Sequence, residues 1–304
     1  MFKHLLVPLD GSHLAESILP VARTFALALH APVTLLHVVE PTAPATVHGD
    51  THLMTAPDAQ AYLDRIADQL RVAGIPVDTH VDVVVGDVAK AIFQHGGELN
   101  ADLILLTNHG HSGLKQALFG SIAQQVLQSG AIPVLLVKAE TPIPEASYTC
   151  TRILVPLDSS PLYETALEVS VDLARAFSAA LHLVVVVPTM QTLSPERAAT
   201  GILLPSSTRA MLDLAESGAE EYLEKKIEQL GTGGISVSGQ VLRGDVPTQI
   251  IMAEQQSEAD LIVMATHGRA GLDAFWSGSI APKVLSRAHA PTLLLRVAGP
   301  EPVR

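Results

Sequence analysis

Cysteine is nearly missing from this chain of 304 residues: Cys150 stands alone, so no intrachain disulfide can form, and a reducing compartment is the expected setting. Basic clusters are missing too. With 31 acidic against 19 basic residues and a formal net charge of −12, no Lys/Arg run is dense enough to neutralise successive phosphates, so nucleic acid is not an expected partner. Long apolar runs are also absent. Stretches such as Leu181 to Val187 stay at strand length, far short of the roughly 20 residues of a membrane helix, so no membrane association is expected despite a mean hydropathy of +0.32. The first apolar stretch, Leu5 to Leu9, contains Pro8 and stops at Asp10, too short for a signal-peptide core of roughly 7 to 15 residues. The expected location is cytoplasmic.

Several catalytic signatures are absent as well. No GxxxxGK[ST] loop occurs, which argues against a Walker-type ATPase, and no GxGxxG follows a first strand, which argues against a dinucleotide dehydrogenase. No GxSxG elbow presents a serine nucleophile. Of the 13 histidines, His48 and His52 are four apart, and His109 and His111 flank Gly110. Neither pair has a cysteine or further ligand at fixed spacing, so no protein-ligated metal is expected.

What is present is a repeat. His4-Leu5-Leu6-Val7-Pro8-Leu9-Asp10 recurs as Arg152-Ile153-Leu154-Val155-Pro156-Leu157-Asp158, an offset of 148 residues. Gly86-Asp87-Val88 recurs as Gly244-Asp245-Val246 and Ala101-Asp102-Leu103-Ile104 as Ala259-Asp260-Leu261-Ile262, now offset by 158. A net insertion of ten residues between the second and third strands of the second copy reconciles the two. Between the copies, residues 138–151 carry Pro142 and Pro144 and no apolar period, as a linker does. The expected domains are 1–144 and 145–304.

Within each copy short aliphatic runs alternate with amphipathic stretches. In the first copy the runs are Leu5 to Leu9, Val33 to Val39, Val81 to Val85, Leu103 to Leu106 and Val134 to Val137, with helical stretches at Leu14 to Leu29 and Ala59 to Val72. The nearly all-apolar strands fit a parallel sheet covered on both faces. The predicted fold class is therefore α/β, with two tandem doubly wound domains, each a five-stranded parallel sheet flanked by helices.

Ligands of such sheets bind beyond the carboxyl ends of the strands, where the winding reverses. Strand one is followed by Asp10-Gly11-Ser12 and by Asp158-Ser159-Ser160. After strand four come Thr107-Asn108-His109-Gly110-His111-Ser112-Gly113 and Ala265-Thr266-His267-Gly268-Arg269-Ala270-Gly271, each leading to a Gly-Ser pair that opens a helix, Gly120-Ser121 and Gly278-Ser279. Glycines allow close backbone approach, and a helix N-terminus offers unpaired N–H groups to phosphate. Both serines are equally readable as helix caps, as are Asp10 and Asp158. The loops Pro41 to Pro57 and Pro188 to Ser207 lie at the ligand end and are either lids or plain surface loops, the second holding most or all of the insertion.

The glycine spacing resembles the nucleotide motif of the universal stress protein family: Gly, two residues, Gly, nine residues, Gly, then Ser or Thr. Gly110 with Gly120-Ser121, and Gly268 with Gly278-Ser279, match from the second glycine on, and Val-Pro-Leu-Asp in strand one, Gly-Asp before helix three and Asp-Leu-Ile entering strand four are similar too. The resemblance covers nearly the whole chain, twice. It implies the nucleotide α-hydrolase-like fold and a regulatory, stress-response protein that binds ATP, AMP or ADP, with Mg²⁺ carried by the phosphates, at most slow hydrolysis and no catalytic residues. The adenine edge would fall to Asp10 and Asp158, and the apolar slot to Pro8 and Val38 or Pro156 and Val186. The phosphate end would fall to Thr107, Gly110, His111, Gly120, Ser121 and Ile122 in copy one, and to Ala265, Gly268, Arg269, Gly278, Ser279 and Ile280 in copy two.

At the first glycine of the motif stand Thr107 and Ala265. A side chain there crowds the ligand, Thr107 more than Ala265, so copy two, with Arg269 available to phosphate, is the better steric candidate. The alternative is a stress or interaction protein whose sites Thr107 and Ala265 have closed. An adenylate-forming enzyme of the wider fold group would carry a further signature such as HIGH, which is absent. Since the family dimerises through its terminal strands, the two copies are expected to form an intrachain pseudo-dimer, with a homodimer left open.

Overall fold

The computed structural model describes residues 1–41, 44–84, 86–108, 121–129, 132–139, 148–158, 164–193, 203–268 and 280–298. The chain divides into two units, Met1–Thr149 and Cys150–Arg304.

Unit 1 is built on five parallel strands, β1 (Leu5–Pro8), β2 (Val33–Val39), β5 (Val77–Val83), β6 (Leu103–Asn108) and β7 (Val134–Lys138), ordered β5-β2-β1-β6-β7. A two-stranded hairpin, β3 (Thr46–Val47) with β4 (Asp50–Thr51), interrupts the crossover after β2. The helices are α1 (His13–Glu16), α2 (Leu19–Leu29), α3 (Ala56–Val72), α4 (Val88–Glu98) and α5 (Ser121–Ser129). Strand β2 is buried along its whole length, as are Leu5 to Val7 and Leu103 to Leu106, which is why these segments read as apolar runs, broken in β2 by the buried Thr34 and His37.

Unit 2 repeats the plan with β8 (Arg152–Leu157), β9 (Ala180–Val187), β10 (Val237–Arg243), β11 (Leu261–Gly268) and β12 (Thr292–Ala298), in the order β10-β9-β8-β11-β12. Its helices are α6 (Glu164–Phe177), α7 (Pro205–Gly231), α8 (Val246–Ser257) and α9 (Ile280–Leu285).

Local chemistry explains where elements begin and end. The expected single helix from Leu14 to Leu29 is two, because Pro20 lacks the N–H that would continue the ladder and sits instead in the first turn of α2. The third strand starts at Val77, not Val81, since an edge strand is partly exposed and loses the continuous apolar signature; of its residues only Val77 is buried. The ten extra residues of the second copy lengthen the helix rather than the loop: α7 has 27 residues where α3 has 17. Thr107 and Ala265, read as loop residues, are in register on strands, Thr107 opposite Val137 and Ala265 opposite Leu295.

Two repeated motifs prove to be clamps. The Asp102 carboxylate accepts hydrogen bonds from the backbone N–H groups of Lys3 and His4, tying the start of β6 to the start of β1. Asp260 does the same with Thr151 and Arg152. In the Gly-Asp pairs, Asp87 and Asp245 cap α4 and α8 by accepting from the N–H of Lys90 and Thr248. The preceding Gly86 and Gly244 take φ of 141° and 145°, a conformation that side chains avoid.

Candidate functional site

A proline opens the site. The N–H groups of Leu5 and Leu9 point at β2, donating to Pro32 and Leu36, so even-numbered positions of β1 face β6. Pro8 has no N–H to offer there. The β1–β6 pairing accordingly extends only over Leu5 with Leu103 and Leu6 with Ile104, whereas β1 pairs β2 as far as Pro8 with Leu36. Unit 2 repeats this, with β8 meeting β11 only at Ile153 with Leu261 and Leu154 with Ile262, and Pro156 next but one. These are the positions where the winding reverses.

In unit 1 a cavity of about 270 Å³ occupies that gap. Pro8, Leu36, Val38, Leu106, Ile92 and Ile122 supply an apolar slot; Asp10 and Glu40 bring carboxylates, His48 and His52 imidazoles. Of the copy-one residues expected from the sequence, Pro8, Asp10, Val38, Thr107 and Ile122 all line this cavity. Thr107 does not fill it. Ser121 opens α5, as the Gly-Ser reading requires. Gly110, His111 and Gly120 lie outside the described residues.

Asp10 does not cap α1. Ser12 is the N-cap, accepting from the N–H of Ala15, and Asp10 supports it: its Oδ1 accepts from the Ser12 N–H at 2.9 Å and from the Ser12 hydroxyl at 2.7 Å. Its Oδ2 lies 3.7 Å from His48 Nε2. Behind it, His37 is almost wholly buried in β2 with Nδ1 2.7 Å from the Leu9 carbonyl, while its Nε2 has no hydrogen-bond partner among the described residues. Burial holds this imidazole below the usual histidine range, with the Leu9 carbonyl pulling the other way. Burial likewise pushes the Tyr62 hydroxyl up, helped by the nearby Glu16 and Asp10 carboxylates.

The loop after β2 forms part of the cavity wall through Pro44, Thr46, Val47, His48 and His52. His48 and Gly49, with φ of 50° and 91°, make the two-residue turn of the hairpin, the primed geometry that suits tight hairpins. The arm after the turn is anchored: Asp50 accepts from the His13 backbone N–H and meets its ring nitrogen at 3.0 Å, and Leu53 packs against Gly11. A Cβ on Gly11, whose φ is 89°, would lie 2.8 Å from Leu53. The sequence reading singled out the loop and the histidine pair but did not join them to Asp10. The signal was the run Thr46-Val47-His48-Gly49-Asp50-Thr51, a hairpin pattern around a glycine turn.

In unit 2, Pro156 and Val186 are half-buried and Asp158, directly after β8, is exposed. Ala265 and Gly268 close the carboxyl end of β11, and Ile280 opens α9. Arg269, Gly278 and Ser279 lie outside the described residues. Among the described residues of the chain no group of three or more His, Cys, Asp or Glu side chains is placed to hold a metal ion. No described helix is long and apolar enough to cross a membrane.

Fold and site together define a duplicated doubly wound α/β protein with a ligand-type cavity at the strand-order reversal of unit 1. The model of the universal stress protein family matches residues 1–138 and again 149–296, and the chain belongs to that family. A universal stress protein of Mycolicibacterium smegmatis is 25% identical over 305 residues, covering 96% of each chain. Universal stress protein MJ0531 of Methanocaldococcus jannaschii is 28% identical over 145 residues, 48% of this chain and 81% of its own. Among solved structures, a universal stress protein from Archaeoglobus fulgidus superposes with a TM-score of 0.68 at 19% identity, covering 97% of this chain and 96% of its own.

Proposed function

We propose that the protein is an adenine-nucleotide-binding regulator of the stress response, binding ATP, AMP or ADP without performing metabolic chemistry on it. The observation that carries this reading is the unit 1 cavity of about 270 Å³, in which an apolar slot is flanked by a carboxylate. Pro8, Val38, Leu36 and Leu106 remove a base from water, and Asp10 offers an acceptor for an exocyclic amine. Such a slot with a few polar groups is the usual composition of a small-molecule site. The cavity, at about 270 Å³, suits a base and sugar; the phosphates would extend toward Ser121 at the start of α5, where the helix N-terminus favours anions. Any Mg²⁺ would be held through those phosphates.

Unit 2 carries the same determinants in sequence, and Ala265 leaves more room than Thr107, so two sites per chain are proposed. The pairing of two family domains within one chain supports an intrachain pseudo-dimer. The single cysteine, which can form no intrachain disulfide, supports a cytoplasmic setting. The test is to release ligands from freshly purified protein with acid and separate them by chromatography. The expected result is co-purifying adenine nucleotide, lowered by replacing Gly120 or Gly278 with leucine; protein free of nucleotide that also fails to take up added ATP or AMP would refute the reading.

A further inference from the structure

The hairpin of unit 1 touches the ligand cavity at one chemically specific point. His48 stands at the tip of the turn with its Nε2 3.7 Å from Asp10 Oδ2, and both side chains are about 30% exposed, at 29% and 31%. Asp10 Oδ1 is engaged by Ser12, so Oδ2 is the oxygen left to meet a ligand in the cavity, and it is the oxygen that His48 approaches. We propose that His48 is a positioning residue of the unit 1 site: protonated, it draws the hairpin onto Asp10 and competes for its outer carboxylate oxygen; neutral, it yields that oxygen to the ligand. Only the identity of the ligand rests on the nucleotide reading.

The surroundings make the hairpin responsive to the charge of its histidines. On the far side of the turn, Asp50 pairs with His13 at the start of α1, so a second imidazole-carboxylate contact holds the same hairpin to the same loop. The His13 backbone N–H and ring hold the Asp50 carboxyl below the usual carboxylate range, with His48 a further favourable charge. The other titratable groups facing this region are Glu40 and His52 in the cavity wall, buried His37 behind Asp10, Glu16 on α1, and Tyr62 and Arg65 on α3, Arg65 being paired with Glu16 at 2.8 Å. Imidazoles as a class change charge between about pH 5 and 8. With His48 and His13 charged the hairpin is held by two ion pairs, and with both neutral those contacts lose their charge component. The site is therefore closed in acid and accessible at neutral to basic pH. Unit 2 does not repeat the latch: its crossover after β9 leads into the longer helix α7, and Met190 to Pro205 contains no histidine.

The variant to use is His48→Asn. Asparagine before glycine is the preferred pair for this turn, so the hairpin keeps its backbone while the imidazole is removed. Hydrogen exchange of residues 44–53 in the full chain is compared between variant and wild type at pH 6 and at pH 8, the ratio at each pH cancelling the intrinsic chemistry of exchange. The expected ratio is about two- to fivefold faster exchange in the variant at pH 6, the size of a partly exposed ion pair, falling to about one at pH 8. A ratio near one at both values, or the same elevated ratio at both, overturns the proposal. Because the AMP phosphate itself gains charge at about pH 6, calorimetry in parallel compares the wild-type-to-variant affinity ratio at the Asp10 site, which should rise by a similar factor from pH 6 to pH 8. If AMP fails to bind at either pH while the exchange ratios behave as expected, the nucleotide reading falls and the latch stands. If AMP binds with an equal pH profile in both proteins, the latch falls and the nucleotide reading stands.

Discussion

The two units solve one packing problem in opposite ways. Ahead of the last strand, unit 2 places the carboxylate of Glu254, only 4% exposed, so that Oε1 accepts from the N–H groups of His289 and Ala290 at 2.7 Å each. The matching positions in unit 1 are Gly96 and Ile132, and there the Ile132 side chain fills the space: a Cβ on Gly96 would lie 2.9 Å from its Cδ1. One unit fills this place with a buried carboxyl that accepts two backbone N–H groups, the other with close apolar contact. A duplicated fold thus preserves the position of its elements while the chemistry that secures them drifts, which is also how one copy can acquire a latch that the other lacks.

The sharpest way to break this comparison is Glu254→Ala, which removes the carboxylate acceptor of the His289 and Ala290 N–H groups. A loss of about 3 kcal/mol is expected, from two bonds to a charged acceptor, read as a lower urea midpoint for the unit 2 transition. Replacing both residues, Glu254→Gly with Ala290→Ile, installs the unit 1 solution and should recover about half of that loss. A smaller and symmetric effect is expected at the clamps. Asp102→Ala and Asp260→Ala each remove carboxylate contacts to two backbone N–H groups, costing about 1 to 2 kcal/mol in their own unit, and urea unfolding should find the two losses alike.

The smallest effect separates the units by pH. In unit 1, His95 bridges Asp82 at 2.7 Å and Glu98 at 3.0 Å, and the His95 hydrogen bond holds the Asp82 carboxyl below its ordinary value. A carboxyl depressed on folding contributes stability that is complete above its unfolded value, near pH 4, and is lost as the pH falls through the folded value. Unit 2 carries Gln240 and Ala253 at these positions. Unit 1 should therefore lose about 0.5 kcal/mol more than Asp82→Asn does between pH 5 and pH 3, measured by thermal unfolding at each pH, given that the pair is partly exposed.

Much of the fold was legible in the sequence because its signals are local. Buried strands appear as apolar runs, the duplication as repeated motifs, and Pro8 with Pro156 marks the place where the sheet parts. The edge strand β5 was read four residues late because one-sided pairing dilutes its apolar pattern. The extension of α7 reads as a loop because its first turns bury little: Met211 and Leu214 are exposed, leaving only a weak amphipathic stripe to count. At the site, Pro8, Asp10, Val38, Thr107 and Ile122 were placed by motif and meet in one cavity. The His48 contact was not visible, because it depends on a turn folding back across a gap of 38 residues to reach Asp10, a distance over which spacing carries no information. Thr107 looked obstructive as a motif departure; on a regular strand its side chain is one wall among several.

The central claim is that the unit 1 cavity receives an adenine nucleotide through Asp10, and it is tested most directly by titrating AMP and ATP into the full chain by calorimetry at pH 8, with and without Asp10→Ala. The account predicts saturable binding whose unit 1 component weakens by at least tenfold in the variant, as the loss of a hydrogen bond to a charged group requires. Binding unchanged by Asp10→Ala, or no binding to the wild-type chain, would contradict it.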